Sequence, residues 1–500
     1  LFQLLCSVVL VGSLVSGMLA SLRWPLVGDA SLMHYVIFLQ SKGLTPYRDI
    51  IDINLPGSYA FEAIAMRCFG PNAFGWRMYD FVLLTSIVLA ATVLAGKGNR
   101  FAGVFGGVLF ALVHLQDGLE QGGQRNLVMA ALLLWSYVAL FRGQRSHEGS
   151  GVTLLAGLGL GCSLTIKPTM LPLTLALIFM ASWVAYRRGL RPLRILCAGM
   201  LGLALPPAVA LVWLKKTGAL SAFLNVCGEL LPLHALLGRQ KLSFLMAHSL
   251  SPISVVAALW LLLWIVERPL FSVERVELLL GILGTAFAYI IEGKGYPYQR
   301  YPFLAVLLVT IGIDVTRALS RKGIIQTLAV CTCGISCFVL APRYAWLIRS
   351  FHREAPFQST LSANLLSLGS SSQLNGEVQC LDTFGGCINA LYDLRVRQST
   401  GFLYDCYLFS GNSKTNEHYR EAFWTAFQIT KPRIVVETNQ FCFGDPRGFG
   451  KLATWPRFAT TLTQEYELKT AWKSPFLQHW WNRKEMPTEF KIYLRKEPGN

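Results

Sequence analysis

Charged side chains are scarce in this sequence. Asp, Glu, Lys and Arg make up 15% of its 500 residues, and the acids are the rarer kind, 28 against 45 Lys and Arg. Ordinary soluble domains carry about 25%, so the chain is too apolar for a common water-soluble enzyme. Several motifs are missing as well. There is no GxxxxGK[ST] phosphate loop, no GxGxxG after a strand and no GxSxG elbow, which removes the usual signals for nucleotide-driven transport, dinucleotide binding and serine hydrolysis. No Cys/His set has zinc-site spacing. Cys331, Cys333 and Cys337 fall inside an apolar run and read as packing residues, and His34, His114, His234 and His248 are scattered. The sequence carries no internal repeat and no low-complexity stretch.

Apolar residues are abundant: 53% of the chain, with a mean hydropathy of +0.44. They gather into about eleven windows of roughly the length a bilayer core requires: Leu1–Leu22, Met78–Gly96, Phe101–Leu115, Leu127–Phe141, Val152–Ile166, Met170–Tyr186, Ile195–Leu214, Leu250–Val266, Val276–Ile291, Phe303–Val315 and Ile324–Leu340. The pattern predicts an α-helical polytopic membrane protein. The sequence begins at Leu, and a cleaved signal peptide is the alternative reading of the first window. Basic residues fall in every second connection (Lys97 and Arg100; Arg142 and Arg145; Arg187 to Arg194; Arg268 and Arg275; Arg317 to Lys322), which predicts that these connections and the N-terminus are cytoplasmic. The net charge of +17 is accounted for by those loops and by contact with anionic membrane lipids, with no nucleic-acid partner implied.

Composition changes near Ala341–Glu354. Residues 1–342 hold the apolar windows; residues 343–500 are polar and long enough for a separate core, and read as an extracytoplasmic mixed α/β domain. Glu377–Leu381, Arg433–Glu437 and Phe490–Leu494 read as strands, and Asn389–Arg397 and Glu417–Ile429 as helices. Cys380, Cys387, Cys406 and Cys442 lie here. Outside the cytoplasm they would form one or two disulfides, with three full pairings open; the alternative is buried thiols.

The first outer loop, residues 23–77, concentrates the polar chemistry. Leu32, Tyr35, Val36 and Leu39 recur at helical spacing and predict a short amphipathic helix along the membrane surface. Asp29 stands at its N-terminal end, where the helix dipole favours negative charge. Its position alone fits a helix cap and a functional carboxylate equally well. Thr217–His248, between two windows, reads either as a lid or re-entrant piece or as a further helix.

Asp29, then Pro46-Tyr47-Arg48-Asp49, then Asp52-Ile53-Asn54-Leu55-Pro56-Gly57-Ser58-Tyr59, then Phe69-Gly70 and Arg77 resemble the first loop of the GT-C glycosyltransferases. The similarity is to the bacterial branch of dolichyl-phosphate-mannose–protein mannosyltransferase-like enzymes, which includes the aminoarabinose transferases. Gly123-Gln124-Arg125-Asn126, Lys167-Pro168 and the run from Gly293 to Pro302 resemble the same branch, so the likeness covers roughly residues 20–320.

This resemblance implies a GT-C-like fold and transfer of a sugar from a polyprenyl-phosphate donor to a lipid, glycan or protein acceptor, with inversion, in the bacterial inner membrane. Such chemistry needs a base for the acceptor hydroxyl and cations for the departing phosphate. Asp29 matches the base. Arg125, Lys167, Lys294 and Arg300 match the cations, each with a snorkelling end-of-span residue as its alternative, and Arg48 is a further candidate in the first loop. Ala30 stands where relatives often carry a second acid, which leaves Asp52, Asp117 or Glu120 to supply it. Asn54-Leu55-Pro56 stands where relatives often have Lys-Pro-Pro. A divalent metal is not required by the residues. The alternative functional class is a transporter or flippase of lipid-linked sugars, which would more often show mid-span charges and paired halves.

Overall fold

The computed structural model describes residues 1–145, 149–268, 272–350, 356–440, 443, 447–473 and 488–497. They form two compact units. One comprises Leu1–Trp24, Leu55–Val212 and Gln240–Phe351; the other comprises Pro25–Asn54, Trp213–Arg239 and His352–Asn500.

The first unit is helical, and each of the eleven apolar windows is a helix in it or runs into one. Among the described residues seven helices are long and apolar enough to cross a membrane, and an eighth span arises if Leu242–Ser249 and Ser254–Glu267, bent by 81° at their junction, are taken as one. Arg125–Gln144 and Pro297–Leu319 are 78% buried within the protein whereas Phe2–Ser21 and Pro192–Lys216 are 22% buried, so the former are central and the latter peripheral. Small residues set the closest crossings. A Cβ at Gly106 would lie 2.4 Å from the Leu308 carbonyl oxygen, and one at Gly312 would lie 2.3 Å from that of Ala102; this is the close backbone approach that membrane helices gain from glycine.

Polar groups inside this unit are held in sets. On the helix Ala73–Ala95, Asp80 is fully buried. It accepts the Gly123 N–H at 2.6 Å, faces His114 Nε2 at 3.0 Å and lies 3.6 Å from the Arg77 guanidinium. Trp76 Nε1 donates to the Gly122 carbonyl at 3.0 Å. Gly123 has φ +60, and a Cβ there would strike the Trp76 ring at 2.3 Å. One carboxylate thus ties two helices to the Gly122–Gly123 turn. Asp314 is similarly buried, accepting Trp260 Nε1 at 2.9 Å and pairing with Arg275.

In the second unit, strands β1 (Val378–Leu381), β2 (Ile434–Thr438), β3 (Tyr466–Trp472) and β4 (Phe490–Arg495) form a sheet of order β1-β2-β4-β3. β1 and β2 are parallel, and β4 is antiparallel to both β2 and β3. The expected strands are β1, β2 and β4. β3 is an edge strand whose Glu467, Leu468 and Lys469 are exposed, so its sequence lacks the apolar signal that burial imposes. The helix Lys414–Thr430 starts at Ser413, whose side chain accepts the Asn416 N–H, and ends at Lys431 with φ 43 before Pro432. Its Phe423 and Phe427 rings meet Phe458 edge-on at 5.7 and 5.2 Å. Cys380 and Cys387 form a disulfide, Cys406 is a buried thiol, and Cys442 lies outside the described residues.

The loop helix, Gly28–Ser41, differs from expectation. His34, Tyr35 and Val36 are completely buried, and the helix packs on the C-terminal residues of its own unit instead of presenting an apolar face to a membrane surface. Tyr35 Oη donates to the Val396 carbonyl at 3.1 Å and accepts the Gln398 N–H at 2.6 Å. Hydrophobic spacing marks a face to be covered and not what covers it. Thr217–His248 is broken into short helices, with a π-helical turn at Val226–Leu230.

A second ionic set holds the ends of β1 and β2. Buried Lys451 Nζ meets Asp405 Oδ2 at 2.6 Å and the carbonyls of Leu381 and Gln440 at 2.9 Å. Asp382 accepts Thr438 Oγ1 at 2.9 Å and the Gly385 and Cys387 N–H groups. Burial pushes the Glu437 carboxyl up to about 7, partly opposed by Lys451 and by the Tyr493 hydroxyl 3.0 Å away.

Asp80→Ala strands the Arg77 guanidinium and should lower stability by about 3–5 kcal/mol, seen as a reduced melting temperature of the purified protein in detergent; an unchanged melting temperature contradicts the assignment. Glu437 keeps its proton in the folded state as pH rises from about 4.5 toward 7 while the unfolded chain releases it, so its contribution becomes destabilising over that window. Glu437→Gln should flatten the pH dependence and stabilise the protein above pH 7 by up to on the order of 3 kcal/mol. Parallel melting curves for the two proteins at pH 5 and pH 8 would refute this.

Candidate active site

Asp29 occupies the first turn of the helix Gly28–Ser41. Gly28 reaches that turn with φ +56, a conformation open to glycine at little cost. Asp29 is half-buried, and its charge acts on the Tyr404 hydroxyl.

Asp52 acts on the same hydroxyl and is completely buried. Its Oδ1 accepts the Ile53 N–H at 2.6 Å, the Asn54 N–H at 3.1 Å, Asn54 Nδ2 at 2.8 Å and Tyr404 Oη at 2.7 Å. Its Oδ2 is buried and has no hydrogen-bond partner among the described residues. The two backbone donors come from the residues just after Asp52, the local turn that Asp side chains favour. Burial, and then the negative charge of Asp52, push the Tyr404 phenol well above its ordinary value, so it stays a donor.

The preceding turn is also closed on itself. Tyr47 has φ 70, its hydroxyl donates to the Asn54 carbonyl at 2.5 Å, and its ring meets Phe223 edge-on at 5.0 Å. Arg48 is turned toward Asp49 at 2.8 Å and the Thr217 carbonyl at 3.0 Å. The Arg48 guanidinium holds the Asp49 carboxyl below the usual carboxylate range.

The helical unit carries the remaining candidates. Glu120 is exposed on the 3-10 turn Leu119–Gln121, and its carbonyl accepts Gln124 Nε2 at 3.0 Å. Arg125 opens the helix Arg125–Arg145 directly after the turn that Asp80 fixes. Lys167 pairs with Glu292 and lies 5.7 Å from the centre of the Tyr298 ring. Lys294 is buried between Gly293 and Gly295, at φ 68 and 72. Arg300 meets Asp117 Oδ1 at 2.6 Å, the His248 carbonyl at 2.5 Å and the Ser251 carbonyl. Its guanidinium therefore ties the Pro297–Arg300 turn to the bend after Leu242–Ser249.

The structure thus brings Asp29 and Asp52 around Tyr404, and pairs Lys167 with Glu292 and Arg300 with Asp117. Three buried or paired residues of this region, Glu292, Asp80 and Tyr404, differ in how far the sequence marks them. Glu292 stands two residues before Lys294 and was visible as an acid ending an apolar run. Asp80 was visible as an acid three residues after Arg77 inside an apolar window. Tyr404 carried no signal, because it meets Asp52 across some 350 residues. Among the described residues no group of three or more His, Cys, Asp or Glu side chains converges to hold a metal ion.

No protein-family model matches the chain, and no curated protein matches it in sequence. Solved structures do match in fold. The crystal structure of ArnT from Cupriavidus metallidurans bound to undecaprenyl phosphate aligns over 97% of each chain, with a TM-score of 0.61 and 10% identity. The same protein in its apo state gives 0.60 at 11% identity. The archaeal oligosaccharyltransferase AglB from Archaeoglobus fulgidus, in complex with an inhibitory peptide and a dolichol-phosphate, aligns over 93% of this chain and 73% of its own, with a TM-score of 0.51 and 10% identity. With its apolar helices and C-terminal sheet, the chain is an integral membrane protein with the GT-C fold of the membrane glycosyltransferases.

Proposed function

We propose that this protein transfers a sugar from a polyprenyl-phosphate donor to an acceptor hydroxyl on the extracytoplasmic face of the bacterial inner membrane, with inversion at the anomeric carbon. The observation that carries the reading is the end-to-end likeness to ArnT, whose structure contains undecaprenyl phosphate; AglB contains dolichol-phosphate. The Cys380–Cys387 disulfide supports an oxidising compartment for the C-terminal residues.

In this reaction the acceptor oxygen bonds to the anomeric carbon as the bond from that carbon to the phosphate oxygen breaks. One displacement inverts the centre. Asp29 takes the acceptor proton as its oxygen attacks, a role worth about 10²–10⁴ in rate. Arg48, Arg125, Lys167, Lys294 and Arg300 are the cations assigned to the charge that develops on the leaving phosphate. In the free protein Lys167 pairs with Glu292, Arg300 with Asp117 and Arg48 with Asp49. Glu120 is open to solvent and is the remaining candidate for contact with the acceptor.

Purified protein reconstituted in vesicles with a panel of polyprenyl-phosphate hexoses and pentoses provides the test. Wild type should transfer at least one sugar, with the product of opposite anomeric configuration by NMR. Asp29→Asn should lose about 10²-fold or more in kcat while still binding donor. Lys167→Met and Lys294→Met should raise the donor KM. Unchanged turnover in Asp29→Asn removes Asp29 from the mechanism, and absence of transfer by wild type with every donor counts against the class.

A further inference from the structure

Asp52 is held by donors from two distant parts of the chain. Three of the four hydrogen bonds on its Oδ1 come from the next two residues, Ile53 and Asn54. The fourth comes from Tyr404, 352 residues away. All four converge on one oxygen. The other, Oδ2, is buried and unpartnered among the described residues.

Buried carboxylate oxygens are rarely left without a donor, and each exception calls for a reason. The donors from Ile53 and Asn54 belong to the local turn that Asp side chains favour; the Tyr404 hydroxyl is the one long-range donor to Oδ1. The surroundings of the pair are acidic and aromatic. Asp29, on the helix Gly28–Ser41, and Tyr407 both act on the Tyr404 hydroxyl, and Asn54 Nδ2 lies 3.3 Å from it. The Tyr404 and Tyr407 rings lie 5.3 Å apart, and Tyr407 Oη meets His234 Nδ1 at 2.8 Å. The Tyr404 carbonyl accepts Tyr419 Oη at 3.2 Å. Tyr404 is therefore fixed by its ring and its backbone independently of its hydroxyl.

We propose that Tyr404 is a positioning residue for glycosyl transfer, holding Asp52 and, through it, the Ile53–Asn54 turn in the geometry that turnover requires. The C-terminal domain is then part of the transfer machinery and not merely a soluble appendage. The inference rests on the transferase reading above. Tyr404 touches neither donor nor acceptor; it acts through Asp52.

Tyr404→Phe removes only the hydroxyl and keeps the ring between its neighbours. The variant should lower kcat by about 10–100-fold, the value of one hydrogen bond to a charged group. The donor KM should stay within about threefold and the melting temperature within about 2 °C of wild type, the range expected when a contact shapes turnover more than binding or packing. In a double-mutant cycle with Asp52→Asn the losses should fail to add, the double variant being no slower than Asp52→Asn alone.

Wild-type kcat in Tyr404→Phe overturns the proposal, as do additive losses in the cycle. A lowered melting temperature with kcat restored on cooling also overturns it, by showing that the hydroxyl serves packing. If wild type itself transfers no sugar, the transferase reading fails and this inference fails with it. An active wild type beside an unaffected Tyr404→Phe defeats the inference alone.

Discussion

A polar side chain inside an apolar helical unit has no water to fall back on, so it must find its partner within the protein. That constraint organises this molecule. Asp80 is held among His114, Arg77 and the Gly123 N–H, and Asp314 between Trp260 and Arg275. These sets lock helix to helix and helix to turn, and the Asp80 set fixes the turn from which Arg125 extends. In the other unit, buried Asp52 concentrates its donors on one oxygen.

The same physics shapes the other unit at a larger scale. Lys451 and Asp405 are both removed from water, and Lys451 reaches acceptors at the end of β1 and just after β2 as well as Asp405, before Cys406–Phe409. The helix carrying Asp29 is fixed by Tyr35 to Val396 and Gln398, so the carboxylate sits on a buried element and not on a free loop. Sites built on supported elements hold their geometry better than sites on loops. Asp29 and Tyr404 therefore share one framework although they lie far apart in the chain.

Most of the architecture was legible in the residues. The apolar windows mark the helices because a membrane-spanning element needs a run of set length and nothing subtler. The strands at Val378, Ile434 and Phe490 showed themselves through buried apolar residues, while β3, exposed along Glu467 to Lys469, did not. The surroundings of the candidate carboxylates were legible only in part. Asp29, Asp52, Lys167 and Lys294 stand in motifs that resemble a known pattern. Their partners are set by tertiary contact, and neither the Tyr404 bond to Asp52 nor the Arg300 bonds to Asp117 and two carbonyls has a local signature. The face of the helix Gly28–Ser41 was correctly apolar, but what covers it is decided by residues near 392–398.

The transfer proposed for this protein breaks the bond between a sugar and a polyprenyl phosphate. The most direct measurement is mass spectrometry of the lipid carrier after incubating purified wild-type protein with polyprenyl-phosphate sugars and candidate acceptors in vesicles. The account predicts that free polyprenyl phosphate appears in step with glycosylated acceptor, one for one. Movement of intact polyprenyl-phosphate sugar across the bilayer, with no free polyprenyl phosphate formed, would contradict it.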